Sequence, residues 1–218
     1  MLVLMSGTTG SGKSTVAMHI AARWGFAHLQ TDVIRKGLAG LGPMARTDSG
    51  VREGLYSPEM SVRTYREMER LAAETLATGR SVIMDGTFLR RTYRSQSAGA
   101  VKIALSRAGV DPAGLAVVII ECFLSEEEQL ARLEERYASG RSESEGRPEV
   151  YRAQAAAWQP TKDAEAYAIV RLDTSASEQD VANSALDALR RAALSFRPEA
   201  GAGAGSGARG RRGAPKAT

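Results

Sequence analysis

One loop near the start of the chain constrains the fold more than any other feature. Its eight residues follow the pattern G-x-x-x-x-G-K-[ST] and read Gly7-Thr8-Thr9-Gly10-Ser11-Gly12-Lys13-Ser14. The apolar run before the loop predicts a strand over Leu2 to Ser6, and the one-sided apolar pattern after it predicts a helix from about Lys13 to Arg23. A strand, a glycine-rich loop and a helix in this order present backbone N–H groups as a binding nest for phosphates.

The loop residues have separate predicted roles in holding a nucleoside triphosphate. The glycines at positions 7, 10 and 12 let the backbone take positive φ and pass close to phosphate oxygens. Lys13 supplies a positive charge for the β and γ phosphates, and the Ser14 hydroxyl is a candidate ligand for Mg²⁺. The sequence therefore predicts a binding site for a nucleoside triphosphate and its magnesium ion.

Five apolar runs of strand length alternate with helical patterns along the chain. Two of them, Val82 to Met84 and Ala116 to Ile120, are continuously apolar, which is typical of strands buried on both faces of a parallel sheet. The sequence therefore predicts an α/β three-layer sandwich with a five-stranded parallel sheet. Its strands are expected at Leu2 to Ser6, Ala27 to Gln30, Ser81 to Asp85, Leu115 to Phe123 and Ala168 to Leu172.

Capping residues delimit the connecting helices. Ser57 is a predicted N-cap, followed by Pro58 in the first turn, and Gly79 ends that helix. Ser125 and Glu128 form a capping box that begins a helix running to about Ser139. Two further helices are predicted, from Pro148 to Trp158 and from Glu178 to Ala193. The stretch from Gly40 to Tyr56, rich in Gly and Pro, is predicted to be a loop able to move over the substrate.

The composition indicates one domain followed by a tail. Residues 1–195 contain the predicted strands and helices, and residues 196–218 are Gly/Ala/Arg-rich and predicted to be disordered. The net charge of +4 equals the four basic residues that lie beyond position 200, where there are no acidic ones. The predicted domain is therefore neutral, which favours a small-molecule partner over nucleic acid.

The location of the protein is predicted from its opening residues and its single cysteine. The first apolar run is far shorter than a signal peptide or a membrane span and leads directly into the phosphate loop. Cys122 lies in the fourth apolar run and is predicted to be a buried thiol. A reducing cytoplasm, without membrane insertion, is the expected environment.

Asp32 and Arg35 follow the second predicted strand. Ligands collect at the carboxyl ends of parallel strands, so Asp32 is expected near the phosphate loop, with Arg35 on the same helical face. A carboxylate can accept the proton of an attacking hydroxyl, and an arginine can hold an anionic substrate. The alternative is that Asp32 is only a helix N-cap and that Arg35 is solvated.

Asp85 ends the third predicted strand and precedes Gly86. An acidic residue after an apolar strand is typical of the Walker B arrangement, in which the carboxylate orients Mg²⁺ directly or through water. The alternative is an Asp-Gly turn without a metal role. Asp85 and Ser14 are thus the candidate metal-binding residues.

Four arginines lie in a segment whose glycines and serines are typical of a closing lid. They are Arg132, Arg136, Arg141 and Arg147. Arginines over the γ phosphate would offset the charge that develops during phosphoryl transfer. The alternative is that neighbouring glutamates pair with them on a solvated surface.

These motifs together resemble a known family. The stretches that carry the resemblance are Gly7 to Thr15, Asp32-x-x-Arg35, Tyr56 to Glu59, Gly79 to Arg91, the arginine lid and Leu172 to Ser175. They are similar to the AAA-labelled P-loop kinase-like domains, which resemble the kinase part of bacteriophage polynucleotide kinase and often occur fused to aminoglycoside-phosphotransferase-like domains. The resemblance covers about residues 1–193.

The resemblance implies ATP with Mg²⁺ as phosphoryl donor and assigns further roles. Asp32 would be the general base toward an acceptor hydroxyl, and Arg35 would contact an acceptor phosphate. An arginine between Arg132 and Arg141 would stabilise the transferring group, with Arg136 and Arg141 as catalytic candidates and Arg132 on the nucleotide. Thr174 and Ser175 would lie beside the adenine. No phosphatase domain follows and no basic groove can be recognised, so the likeness to polynucleotide kinase is weaker for the substrate than for the fold.

The leading hypothesis is an ATP-dependent phosphotransferase with an unidentified hydroxyl acceptor. The alternatives are a 5′-hydroxyl polynucleotide kinase and an ATP-binding regulatory module that hydrolyses ATP slowly. Gluconate kinase is less favoured, because its acidic motif carries a further Asp and a His that the segment after the second strand here lacks.

Overall fold

A five-stranded parallel sheet forms the centre of the protein. A computed structural model describes residues 1–45, 47, 53–139, 146–162 and 167–196. The strand order is β2-β3-β1-β4-β5, and every neighbouring pair is parallel. The strands are β1 (Leu2–Ser6), β2 (Ala27–Gln30), β3 (Val82–Asp85), β4 (Val117–Phe123) and β5 (Ala168–Asp173), which confirms the predicted α/β fold and its sheet.

Seven α-helices surround this sheet in the described residues. They are α1 (Lys13–Trp24), α2 (Thr31–Leu38), α3 (Pro58–Ala77), α4 (Arg91–Arg107), α5 (Glu126–Ser139), α6 (Pro148–Ala157) and α7 (Glu178–Ser195). Short 3₁₀ turns lie at Gly54–Tyr56 and Pro112–Gly114. Part of the predicted loop from Gly40 to Tyr56, residues 46 and 48–52, lies outside the described residues.

Helix caps explain where several helices begin. The Ser57 hydroxyl accepts a hydrogen bond from the Met60 N–H at 3.2 Å, and Ser125 accepts one from the Glu128 N–H at 3.3 Å. Both predicted caps are confirmed. The N-cap of α2 is Gln30, so the alternative in which Asp32 caps that helix is wrong: Asp32 lies in its first turn, and its carboxylate contacts Arg35 instead.

Successive side chains of β1 point to opposite faces of the sheet and produce two hydrophobic layers. Leu2 and Leu4 pack with α3 and α4, whereas Val3 and Met5 pack with α1 and α7. Each fully buried aliphatic side chain contributes roughly 1.5–3 kcal/mol to folding. Cys122 is buried in β4, as predicted. None of the described helices is long and apolar enough to cross a membrane.

Candidate active site

The phosphate loop joins β1 to α1 at the carboxyl edge of the sheet. Gly12 is the N-cap of α1 with φ 79°, and Gly7 has φ 145°, so the loop needs the conformational freedom of glycine at both ends. A Cβ at Gly7 would lie 2.5 Å from the Cys122 carbonyl oxygen. The Gly7 N–H donates to the Thr87 carbonyl at 3.1 Å, which ties the loop to the segment after β3.

Lys13 is held inside the phosphate loop. Its Nζ donates to the Thr8 carbonyl at 2.6 Å, and only 8% of the residue is exposed. Burial lowers the pKa of Lys13, and the negative charge of Asp85 partly offsets that effect. A phosphate in the loop would stabilise the charged ammonium in the same way.

Thr174, after β5, packs against the loop from the opposite side. Its hydroxyl donates to the Ser11 carbonyl at 3.1 Å, and its side chain would be 3.2 Å from a Cβ at Gly12. Arg132 donates to the Thr174 carbonyl at 2.8 Å. The structure thus brings these two predicted nucleotide-binding residues together beside the phosphate loop.

The helices α5 and α6, called the lid helices below, contact the tip of the loop. Thr8 donates through its hydroxyl to the Gln129 carboxamide at 2.5 Å, and the Thr9 N–H donates to Gln154 Oε1 at 2.7 Å. Arg136 donates to the Thr9 hydroxyl at 3.2 Å, and burial lowers the pKa of its guanidinium. The lid arginine nearest to the loop in these contacts is therefore Arg136.

Other lid residues differ from the sequence-based expectation. Arg141 lies in the segment 140–145, outside the described residues, so its predicted role stays a prediction. Gln129 and Gln154 were not predicted, because nothing in the local sequence distinguishes them from surface glutamines on an amphipathic helix. Only their contact with the loop, more than a hundred residues away in sequence, identifies them.

Asp32 and Arg35 form an ion pair on α2, in which Arg35 is buried and Asp32 is partly exposed. Arg35 Nη1 lies 2.5 Å from Asp32 Oδ1, and the guanidinium packs over the Tyr56 ring at 4.8 Å from its centroid. The Arg35 side chain is 8% exposed, and its Nε has no hydrogen-bond partner among the described residues. A buried donor without a partner is costly, so this N–H is suited to a ligand oxygen.

Asp85 lies at the end of β3, next to β1 and β2. Its carboxylate is 5% exposed and lies 3.0 Å from His28 Nε2. No local sequence pattern connects these residues, because His28 and Asp85 meet through the parallel register of β2 with β3. This contact fixes the orientation of the carboxylate that we predicted to act with Ser14 on Mg²⁺.

One cavity of about 1310 Å³ joins these groups. Lys13, Ser14 and Thr15 line it together with Asp32, Arg35 and Asp85, and so do Arg132, Arg136 and Thr174. A pocket for one small ligand usually measures about 300–1,000 Å³, so this cavity has room for a second molecule beside a nucleotide. Its far wall, formed by residues of α3 and α4 such as Tyr65, Glu69 and Tyr93, was not predicted.

A phosphate loop between the first strand and first helix of an all-parallel sheet defines a P-loop NTPase domain, here with the fold of P-loop kinases. The chain belongs to the AAA domain family AAA_33, whose family model matches residues 2–161. That match runs from β1 to the segment just beyond α6.

Two solved kinases share this fold at low sequence identity. A sugar kinase from Janibacter sp. HTCC2649 superposes with a TM-score of 0.57 and 19% identity, covering 88% of this chain and 96% of that one. A gluconokinase from Sinorhizobium meliloti 1021 gives a TM-score of 0.57 and 21% identity, covering 88% and 93%. Both matches show that this chain shares the fold of P-loop kinases.

A curated relative matches over a shorter stretch. Uncharacterized protein Rv2004c from Mycobacterium tuberculosis is 38% identical over 87 residues, which cover 40% of this chain. The same stretch is 18% of that protein, so the similarity spans less than a fifth of the relative's length.

Proposed function

We propose that the protein is an ATP-dependent phosphotransferase that moves the γ-phosphoryl group of ATP to a hydroxyl of an acceptor molecule. The observation that carries the proposal is that one cavity is lined by both the phosphate loop and the Asp32–Arg35 pair. A domain that only binds or hydrolyses a nucleotide needs the first feature. A carboxylate beside the loop additionally offers an acceptor hydroxyl a base.

The residues around the phosphate loop fit ATP and Mg²⁺. Loop N–H groups and Lys13 suit the phosphates, and Arg132 with Thr174 is our proposed contact on the adenine side. Ser14 and Asp85 line the same cavity, and one hydroxyl with one carboxylate suits Mg²⁺, which takes its remaining ligands from phosphate and water. When bound, the ion would offset the negative charge of the phosphates.

Asp32 is the proposed base of the transfer step. It accepts the proton of the acceptor hydroxyl while that oxygen forms a bond to the γ phosphorus. The bond between the γ phosphorus and the β,γ-bridging oxygen breaks, and ADP leaves with the electron pair of that bond. Arg35 orients the Asp32 carboxylate through their 2.5 Å contact.

Arg136 is the proposed group that stabilises the transferring phosphoryl. Its guanidinium lies 3.2 Å from the Thr9 hydroxyl at the tip of the loop, and the surroundings exclude much of the solvent. Charge interactions in such a partly dry site are stronger than in water, so this arginine can offset the charge of the equatorial oxygens. A reducing cytoplasm, rich in ATP, is the proposed location.

A phosphotransfer assay tests the proposal. The full chain is incubated with ATP labelled at the γ phosphate, Mg²⁺ and separate acceptors: sugars, nucleosides, aminoglycosides and a 5′-hydroxyl oligonucleotide. We expect label on a small-molecule acceptor, and Asp32→Asn should lower the transfer rate about 10²- to 10⁴-fold, the usual contribution of a general base. ATP affinity, measured by calorimetry, should stay within about twofold, because the loop is untouched.

Asp187→Asn is the matched control, since this aspartate is exposed on α7 and pairs only locally with Arg190. Label on the oligonucleotide would favour the polynucleotide kinase alternative. Slow hydrolysis that is equal in wild type and Asp32→Asn, without a labelled acceptor, would favour the regulatory module and refute the phosphotransferase.

A further inference from the structure

The cavity extends beyond the reacting groups into a groove between α3 and α4. We define the α3–α4 groove by six cavity-lining residues: Tyr65, Arg66 and Glu69 of α3, and Tyr93, Gln96 and Ser97 of α4. Tyr65 marks the end near the reaction site, because its hydroxyl would lie 3.1 Å from a Cβ at Gly86, directly after Asp85. Glu69 lies one helical turn further on, about 6 Å along the axis of α3.

The position of the groove suits the part of an acceptor that does not react. A hydroxyl at Asp32 would enter the cavity at the phosphate loop, and the remainder of the molecule must lie where the cavity continues. The phosphate loop and the lid helices border the other side of the cavity, which a nucleotide bound to the loop would occupy. The α3–α4 groove is therefore the space left for the body of the acceptor.

Glu69 adds a carboxylate to the groove, beside the apolar contacts that hold α3 against α4. The packing of α3 with α4 comes from buried apolar residues, among them Met68, Ala72 and Val101. The Glu69 carboxylate instead faces the cavity and accepts a hydrogen bond from the Ser97 hydroxyl at 2.6 Å. A half-buried carboxylate has room for several donors, so one hydroxyl leaves most of its acceptor capacity for a ligand.

Burial changes the pKa of the Glu69 carboxyl group. It raises the pKa of Glu69, and the Ser97 hydrogen bond and the charge of Arg66 only partly offset that rise. A ligand that donates further hydrogen bonds to the carboxylate would replace part of the hydrogen bonding to water that burial removes. A ligand with a phosphate at this point would instead meet a like charge.

Two tyrosines provide a flat surface beside Glu69. The Tyr65 and Tyr93 rings stack with their centroids 6.3 Å apart and an angle of 28° between their planes. Tyr65 is fixed by an edge-to-face contact with Phe88 at 5.3 Å, whereas Tyr93 is 49% exposed. A stacked ring pair near a carboxylate suits a ligand with an apolar ring face and hydrogen-bond donors at its edge.

We propose that the α3–α4 groove is the acceptor-specificity site and that it binds a hydroxyl-rich, sugar-like ring, with Glu69 accepting hydrogen bonds from the ring hydroxyls and Tyr93 contacting the ring face. This inference rests on the proposed phosphotransferase function for its biological meaning. Binding of such a ring in the α3–α4 groove can be tested without any phosphoryl transfer. Glu69 is here a specificity residue, and Asp32 remains the proposed base.

The first test measures binding to the full chain in the presence of a non-hydrolysable ATP analogue and Mg²⁺. Saturation-transfer NMR is recorded with monosaccharides, disaccharides, inositol and nucleosides as probes. We expect signals from members of the sugar and polyol set, and we expect Glu69→Gln to weaken their affinity at least about 10-fold, the loss typical of a hydrogen bond to a charged group. Glu69→Ala, which removes both acceptor oxygens, should weaken it further.

Glu74→Gln is the matched control, because Glu74 lies on the same helix but is 61% exposed and pairs with Arg70. It should leave sugar affinity unchanged. ATP-analogue affinity should be the same in all variants, and circular dichroism should show that each is folded.

The second test uses the labelled acceptor from the phosphotransfer assay. Glu69→Gln should raise the acceptor KM about 10-fold or more with little change in kcat, because the groove binds ground state and transition state alike. Sugar binding that depends on Glu69, without transfer, would support the groove and refute the kinase. Transfer to a nucleoside or oligonucleotide, or sugar affinity that Glu69→Gln leaves unchanged, would overturn the sugar-like class, and so would the absence of any sugar or polyol binding.

Discussion

Replacing Gly7 by alanine should disrupt the phosphate loop in a way that the structure lets us quantify. Gly7 has φ 145°, a conformation that costs an L-residue about 1–3 kcal/mol. The added Cβ would also lie 2.5 Å from the Cys122 carbonyl oxygen and 2.7 Å from Ser11 Oγ. Because Cys122 belongs to β4, its carbonyl cannot move without disturbing the sheet, and overpacking of this kind costs a further 1–3 kcal/mol or so.

Together these terms predict that Gly7→Ala lowers the free energy of unfolding by about 2–6 kcal/mol. Thermal unfolding followed by circular dichroism should show Tm reduced by about 2–4 °C for each kcal/mol. Calorimetric titration with ATP should show weaker binding as well, because any displacement of the loop misplaces the N–H groups that face the phosphates.

Gly25→Ala separates the two costs. Gly25 also has a positive φ, 70°, but a Cβ there would meet nothing within 4 Å. This control should therefore show only the conformational penalty, about 1–2 kcal/mol, and normal ATP affinity. The additional steric cost of about 1–3 kcal/mol should lower the Tm of Gly7→Ala by at least about 2 °C more than that of Gly25→Ala. A smaller difference, together with normal ATP binding by Gly7→Ala, would refute our account of the loop.

Three other substitutions test separate parts of the site. Lys13→Ala should reduce ATP affinity about 10- to 100-fold in calorimetry, the loss expected for hydrogen bonds to charged phosphates, whereas Lys102→Ala on α4, which does not line the cavity, should not. Gln154→Glu places a carboxylate where Oε1 now accepts from the Thr9 N–H at 2.7 Å. Because its negative charge would repel the phosphates, this change should weaken ATP binding more than Gln179→Glu on α7, and equal affinities would contradict this. Burial raises the pKa of Cys122 from an ordinary value of 9.0 to about 12. The unfolded thiol therefore loses its proton first as the pH rises, and stability in urea titrations should fall above pH 9 at up to about 1.4 kcal/mol per pH unit. Cys122→Ala should remove that component of the slope, and an unchanged slope would refute it.

Local signals predicted much of the fold. The strands β1 and β2 begin and end where the apolar runs do, and the caps at Ser57 and Ser125 depend on side chains within three residues. The phosphate loop could be predicted equally well, because its glycines and Lys13 act through their own backbone and the adjacent helix. Features of this kind depend on residues that are close together in the sequence, so a sequence pattern is enough to predict them.

Helix α4 shows why other elements were missed. Its sequence lacks a clear apolar stripe, since one of its buried positions is Arg94, which is fully enclosed. Arg94 donates to the carbonyls of Phe88 and Gln159, both at 3.0 Å. A buried guanidinium that replaces an apolar residue satisfies partners brought by tertiary structure, so hydropathy cannot reveal it.

Contacts between residues that are distant in the sequence could not be predicted either, in contrast to the local contact within α2. Asp32 and Arg35 were predicted to share a helical face because they are three residues apart, and they do. His28 and Asp85 are separated by 57 residues and meet through strand register, while Glu69 meets Ser97 through the packing of two helices. The side of the cavity formed by α3 and α4 is built mainly from contacts of this second kind.

The segment that follows α6 is anchored to the sheet, and this limits how the lid helices can move. Thr161 donates through its N–H at 2.6 Å and its hydroxyl at 2.5 Å to Glu121, a buried carboxylate on β4. Breaking both bonds would leave a buried charge without these donors, which typically costs about 3–5 kcal/mol. The contact between Gln154 and Thr9 is a single hydrogen bond, worth about 1 kcal/mol net. Motion that opens the site should therefore separate Gln154 from the loop while the region around Thr161 stays fixed, so that α6 pivots at its carboxyl end.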